Sequence, residues 1–407
     1  MQEKSQWSGQ EIFHEAKNLQ AQMEKDRRML HQNPEAGAHL PKTKAYVTKR
    51  LREMGYEPVE ICESGIVATI TGRDTGRCLL LRADMDALQI TEQTGLAFAS
   101  ENGCMHACGH DMHAAMLLGA AQLLRQRQAQ LNGTVKLVFQ PDEEGFTGAK
   151  AMLQAGVLEN PKPQAGLALH VHSGTPSGMA LCGRGTFMAG CTLFRITVTG
   201  IGCHGAMPET GVDPIVVAAQ IYLALQEIIA REIPAKKPAV LTIGKFQSGD
   251  APNIIPEQAV LEGTIRTFDS AVTEQIEKRI GEIAESIAKA LRGKAAVEIL
   301  ASVPPLFNQP DLVNQMADWT GELLGADNVY RLDEGGMGSE DFASYTQQLP
   351  CAYLLLGAGT AAEDSRYGKP MHNEKVVFNE DILPLGAAVH TYGALQWLSA
   401  SGNAEEK

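Results

Sequence analysis

Two thiols, three imidazoles and a carboxylate fall within ten positions, Cys104-Met105-His106-Ala107-Cys108-Gly109-His110-Asp111-Met112-His113. The other histidines of the chain are scattered, so this local density of metal-seeking groups is the first feature to explain. Cys108 and His110 are the most ligand-like pair, because the glycine between them lets the backbone fold closely enough for a thiolate and an imidazole to reach one centre. A zinc-type ion accepts both, and carboxylates can complete its shell. Carboxylates bracket the segment, with Asp84 and Asp86 before it and Asp142-Glu143-Glu144 after it. Neighbouring side chains point in different directions, so of Glu143 and Glu144 one can bind a cation while the other takes a proton from water. Taken singly, a Cys or His here is ordinarily a packed core residue, and paired glutamates ordinarily form a solvated loop or suit the dipole of a first helical turn. The grouping reverses that balance. Cys104, His106 and His113 stay divided between ligand, hydrogen-bonding and packing roles.

The elements that must position these groups are short apolar runs at 66–71, 78–81, 134–139 and 165–169, separated by helical stretches. They lack strict polar alternation, which points to a sheet covered on both faces and to a parallel or mixed α/β class. In such sheets ligands bind beyond the carboxyl ends of the strands. Asp84 and Asp86 follow one run, Glu143 and Glu144 follow another, His170 closes a third, and the Cys/His segment leads into a helix over 112–125. Ser8 with Glu11 gives a capping-box signal for a first helix carrying Ile12, Ala16, Leu19 and Met23 at helical spacing. Further helices are expected over 43–54, ending at Gly55, and over 147–154, where Gly145 permits a tight turn.

The pattern changes near residue 185. Runs at 192–199, 240–246 and 260–266 alternate partially, with helices at about 213–231 and 271–292, which describes a small α+β insert. After Pro304-Pro305 the α/β style resumes, with a helix near 311–324, an apolar strand at 352–356 and a final amphipathic helix over about 381–398. The expected organisation is a discontinuous larger domain, 1–186 with 298–407, and an insert, 187–297. No repeats occur, and only the polar tail after Ser399 is of low complexity.

At 407 residues, 44% apolar and 20% charged, the chain is long enough for two cores. Its eight cysteines show no dense paired framework, its first six residues are polar, and no run approaches the ~20 apolar residues of a membrane span. A reduced, cytoplasmic enzyme with no membrane partner is expected. A net charge of −13 without a basic stripe argues against nucleic acid. It leaves the substrate open, because a local site can oppose the global sign.

The segments LLLRADMDAL, MHACGHDMHAA, VFQPDEEG, ALHV, GCHGAMPETGVDPI, NIIP, GTIR, GSEDF and MHN occur in this order, after LHQNPE at 30–35. Together they resemble the amidohydrolase branch of the di-metal aminoacylase and carboxypeptidase family, which includes hippurate hydrolases and hydrolases of indole-acetyl amino acids. The resemblance covers nearly the whole chain. It implies a mixed-sheet, di-metal exopeptidase-like catalytic domain with an inserted, ferredoxin-like lid that forms a homodimer. By position it makes Cys108, His110, Glu144, His170 and His372 the ligands of two divalent ions, zinc or manganese first, nickel or cobalt next. Glu143 becomes the general base and Asp86 an orienting carboxylate behind the metals. In the lid, His204 would reach a neighbouring subunit's site, while Asn253 and Arg266 would contact the carboxylate and carbonyl of the substrate.

The reaction implied is hydrolysis of an N-acyl amino acid to a carboxylic acid and a free amino acid. A metallo-carboxypeptidase or dipeptidase would use the same centre. A non-catalytic metal-binding or assembly subunit is disfavoured by the intact Glu143-Glu144 pair. Three positions depart from the family pattern: Glu209 replaces a second lid histidine, Asp142 an alanine, and Thr192 an acidic residue. Two added carboxylates near the cleft predict a preference for neutral or basic substrates. The acyl group, amino acid and native metal are not legible in the sequence.

Overall fold

The computed structural model describes residues 8–400. The polar first six residues and the tail from residue 401 lie outside the described residues. The chain divides into two compact units: Met1–Gly185, Phe307–Glu334 and Ser344–Lys407 form one, and Thr186–Leu306 with Gly335–Ala343 the other.

The larger unit is built on an eight-stranded mixed sheet. Its first six strands are β1 (Val59–Ile61), β2 (Gly65–Thr71), β3 (Cys78–Asp84), β4 (Thr134–Gln140), β5 (Ala165–His172) and β6 (Ala180–Gly183), followed by Val329–Leu332 and Cys351–Gly357. The order across the sheet is β1-β2-β4-β3-β5, then Cys351–Gly357, β6 and Val329–Leu332. Strands β4, β3, β5 and Cys351–Gly357 are mutually parallel, with Leu81 opposite both Leu137 and Leu167. Every residue of β3 and β4 is buried, which explains their continuous apolar character. Because these strands run in the same direction, the segments that follow them emerge at one edge, as the sequence implies.

Helices α1 (Gly9–Asn18), α2 (Gln20–His31), α3 (Pro41–Glu53), α4 (His110–Gln126) and α5 (Gly148–Gln154) belong to this unit. Ile12, Ala16 and Met23 are buried as their spacing implies, but Ser8 makes no side-chain cap bond, so the expected capping box does not form. The C-terminal helix, Leu383–Ser399, is not amphipathic: almost all of its residues are buried. It packs against α1, α2, α4, β3 and the helix Pro310–Leu324 and so has no solvated side.

The insert contains a four-stranded antiparallel sheet in the order Ala239–Ser248, Gln258–Thr267, Gly190–Thr199, Lys294–Val303. With helices Pro214–Glu227 and Ser270–Ala290 this is the β-α-β-β-α-β, ferredoxin-like order. Asp213 and Asp269 cap those helices by accepting from backbone N–H groups of the first turn. Phe194, Ile196, Ile221, Leu261, Ile276 and Ile280 lie in its core. The expected boundary at 297 falls inside the strand Lys294–Val303, whose alternating exposure is that of a sheet edge. Gly335–Ala343 also joins this unit: Gly336 N–H donates to Phe187 O at 3.0 Å and its carbonyl accepts from Ala189 N–H at 3.1 Å.

Candidate metal centre

The parallel strands deliver three groups to one edge of the larger unit: Asp84 and Asp86 from the end of β3, Glu143 and Glu144 from the turn after β4, and His170 near the end of β5. Gly109, at φ 86°, turns the chain so that Cys108 precedes α4 and His110 opens it. His372, at φ 64°, is fixed by donation of its N–H to Ala107 O at 3.0 Å.

Cys108 stands at the centre of this arrangement. Its Sγ lies 3.5 Å from His170 Nε2 and 3.4 Å from His372 Nε2, and His372 Nε2 lies 3.2 Å from Glu144 Oε1. Two donor triads therefore share the thiol: Cys108, His110 and His170 on one side, and Cys108, Glu144 and His372 on the other, each with ligand atoms within 4.8 Å of one another. Donors bound to one ion at 2.0–2.3 Å are separated from each other by about 3–3.6 Å, which is the spacing of these edges.

The tautomers agree with that geometry. His110 Nδ1–H donates to Asp86 O at 2.9 Å, and His170 Nδ1–H donates to Val171 O at 2.7 Å, so both rings turn Nε2 inward. His110 Nε2 is buried with no hydrogen-bond partner among the described residues. It faces Glu143 Oε2 at 3.8 Å and Asp84 Oδ2 at 3.9 Å, too far for bonds. Asp86 accepts from Glu144 N–H at 3.0 Å through Oδ2 and from His110 through its backbone carbonyl, so it orients both residues.

Charge in the pocket also favours a cation. Burial, with the negative charges of Glu144, Glu143 and Asp84, pushes the Cys108 thiol well above its ordinary range. Burial alone would lower His110; Asp84, Asp86 and Glu144 outweigh it and carry the imidazole up to about 10. Burial, reinforced by His113 and His110, holds His170 well below its ordinary value, leaving it a neutral donor. By orphaned nitrogen, spacing and donor type, the residues fit a pair of divalent ions.

Asp142 does not join this cluster. Its carboxylate bonds Thr147 Oγ1 within its own turn, in the space a side chain at Gly145 would take. Glu209 is exposed in the insert, and Thr192 is buried there, donating to Glu277 at 2.7 Å.

A family model described as Peptidase family M20/M25/M40 matches residues 80–396. The chain belongs to that family. The IAA-amino acid hydrolase ILR1-like 2 of Arabidopsis thaliana is 37% identical over 92% of this chain and 85% of its own length. The N-acetyl-L-cysteine deacetylase of Bacillus subtilis is 38% identical over 83% of this chain and 81% of its own. A solved structure from Bacillus subtilis, described as a dinuclear metal-binding peptidase of the M20 family, has 31% identity and a TM-score of 0.78, covering 95% of this chain and 100% of its own.

Within this M20-family chain, the remaining expected residues, His204, Asn253 and Arg266, lie in the insert. His204 is exposed and accepts from Ala206 N–H at Nδ1, 3.0 Å away, which leaves its proton on Nε2. Asn253 is beside it, its carbonyl accepting from Gly205 N–H at 2.8 Å. Arg266 is half-buried, and one guanidinium nitrogen already donates to Met337 O at 3.0 Å and Ser339 Oγ at 2.7 Å. Behind the cluster, sequence reasoning did not reach Arg82 or settle the role of His113. Their signal was an arginine within the apolar run of β3, which a fully buried strand can hold only if it is paired.

Proposed function

We propose that this chain is a metal-dependent amidohydrolase cleaving the amide bond of N-acyl amino acids to a carboxylic acid and a free amino acid. The observation that carries the proposal is a single thiol, Cys108, shared by two donor triads with the buried carboxylate of Glu143 beside them. Cys108, His110 and His170 would hold one ion, and Cys108, Glu144 and His372 the other. Zinc or manganese suits this mixture of thiolate, imidazole and carboxylate. When bound, such ions supply Lewis acidity toward the scissile carbonyl and toward water.

The chain's own residues supply the rest. Glu143 accepts a proton from the attacking water and returns it to the leaving nitrogen. Asp86 keeps Glu144 in place through Oδ2 of its carboxylate and His110 through its backbone carbonyl. We assign His204 Nε2–H as the donor that stabilises charge on the carbonyl oxygen in a partner subunit's site. Asn253 and Arg266 are assigned to the substrate carboxylate and carbonyl. The substrates in the names of both relatives, an indole-acetyl amino acid and N-acetyl-cysteine, are N-acyl amino acids. A dipeptidase or carboxypeptidase activity at the same residues is supported by the peptidase description of the family and of the similar structure.

The homodimer is also our proposal. The helical stretch Pro214–Glu232 is long and apolar enough to pass for a membrane span and is about one-third buried. Val217, Ala218, Ile221 and Leu225 face the insert's core, while Ile215, Val216, Tyr222 and Leu223 are exposed, Leu223 at 62%. A helix apolar on both faces fits one buried in the fold and one covered by a second copy. We assign a reducing, cytoplasmic compartment on the free state of all eight cysteines.

The testing experiment is Glu143→Gln assayed on N-acetyl and N-benzoyl amino acids beside dipeptides. Metal content should stay at the parent level while hydrolysis falls by about 10²–10⁴-fold. Parent-level turnover would overturn the assignment of Glu143. Faster hydrolysis of dipeptides than of N-acyl amino acids by the parent would transfer the substrate class to the second activity.

A further inference from the structure

His113 lies one turn after His110 on α4, and neither of its nitrogens is available to a metal. Nδ1–H donates to Asp84 Oδ1 at 2.5 Å, and Nε2 accepts from the backbone N–H of Val171 at 2.8 Å. Asp84 is fixed in turn by Arg82, whose guanidinium donates to Oδ2 at 2.5 Å. All three side chains are at most 2% exposed.

The Val171 contact matters because of where the sheet ends. The β3–β5 ladder closes at the pair Arg82 and Ala168, so beyond it the peptide groups of β5 facing β3 have no strand to bond. Within one residue of a strand, N–H and C=O point to the same side. At Val171 both are taken by imidazoles: the N–H by His113, and the C=O by Nδ1–H of His170 at 2.7 Å. The two rings also pack edge to face at 4.4 Å between centroids.

We propose that His113 is a positioning residue for His170, acting through the Val171 peptide. Arg82 and Asp84 set the ring of His113; His113 holds the Val171 N–H; the Val171 carbonyl then fixes the ring angle and tautomer of His170. The hydrogen bond from Val171 N–H is the link that reaches His170, while the one to Asp84 sets the ring of His113. Substitution at His113 therefore weakens the ion on the His170 side and spares the ion on the Glu144 and His372 side. This inference rests on the two-ion centre proposed above.

Zinc titration of the metal-free chain by calorimetry, with cobalt spectra as a second readout, tests it on four variants. His170→Ala identifies the ion concerned, because that binding event should disappear. His113→Leu should weaken the same event by about 10–100-fold and leave the other within about threefold. The amide of His113→Gln reaches the position of Nε2 and can accept from Val171 N–H; that of His113→Asn reaches only Nδ1 and can bond only Asp84. Gln should recover most of the lost affinity and restore the cobalt spectrum, and Asn should not. Gln and Asn behaving alike, both ions weakening together, or unchanged affinity in all three His113 variants would each overturn the positioning role alone. A His170→Ala chain that still binds two ions would remove His170 from the ligands and this role with it, whereas a parent that binds only one ion would overturn the two-ion centre itself. Should His113→Leu fail to fold, the Gln and Asn pair decides.

Discussion

Gly109→Ala is a one-carbon change whose consequences can be worked out atom by atom. Gly109 adopts φ 86°, and a β-carbon there would collide with Val171 Cγ2 and approach the Phe378 ring to 3.3 Å. A left-handed backbone costs an L-residue about 1–2 kcal/mol. Forcing a methyl into a packed core adds about 1–3 kcal/mol. The sum, about 2–5 kcal/mol, is a large share of the 5–15 kcal/mol that holds a typical domain. Relief by movement of Val171 shifts the carbonyl that holds His170, so metal affinity on that side should fall by at least about tenfold. Urea denaturation of the metal-free chain gives the first quantity and zinc titration the second. A variant with the parent's urea midpoint and the parent's affinity would refute the claim that glycine is required between Cys108 and His110.

Asp111→Ala should destabilise the chain by about 3–5 kcal/mol in urea denaturation, because it leaves Arg27 and His31, both 1% exposed, without the carboxylate that joins them at 2.7 and 2.8 Å. The same network makes stability depend on pH. Burial opposes the charge on both Glu92 and His31, but the bond and charge between them hold Glu92 down to about 2 from 4.5, and Asp111 with Glu92 raises His31 above 6.5. Its contribution is complete between pH 4.5 and 6.5, is lost as pH falls toward about 2, and is lost on the alkaline side as pH rises through the raised value of His31. Glu92→Gln should flatten the acid limb of a plot of thermal midpoint against pH. Leu223→Lys should halve the mass in sedimentation equilibrium while leaving circular dichroism unchanged. Chelation should lower the thermal midpoint, each ion contributing about 2.7 kcal/mol when present at a hundredfold above its Kd.

Much of the candidate site was legible because its residues follow apolar strand runs. Asp84, Glu143 and His170 could be assigned to one sheet edge from chain position alone, and the structure gathers Cys108, His110, Glu144, His170 and His372 with Glu143 and Asp86 there. The pairings behind them were not legible, because they join residues remote in sequence: His113 bonds Asp84, and Arg27 bonds Asp111, 84 positions apart. The strand Lys294–Val303 was not legible because its apolar residues, Ala295, Ala296, Val297, Ile299, Leu300 and Ala301, do not alternate with polar ones. The C-terminal helix was misjudged for the opposite reason. Its small residues, Gly386, Ala387, Ala388, Gly393 and Ala394, look neutral in sequence but allow neighbours to close on every side. Arg266 matched a substrate fork by type, and only the fold shows one of its nitrogens bonded to Met337 and Ser339.

Metal content per chain, measured by elemental analysis after saturation with zinc and desalting, tests the shared thiol most directly. The parent should carry two ions, His170→Ala and His372→Ala about one each, and Cys108→Ala fewer than one, because its thiol belongs to both triads. One ion in the parent, or a Cys108→Ala chain that retains as much metal as His170→Ala, would contradict the proposal that Cys108 joins two metal sites.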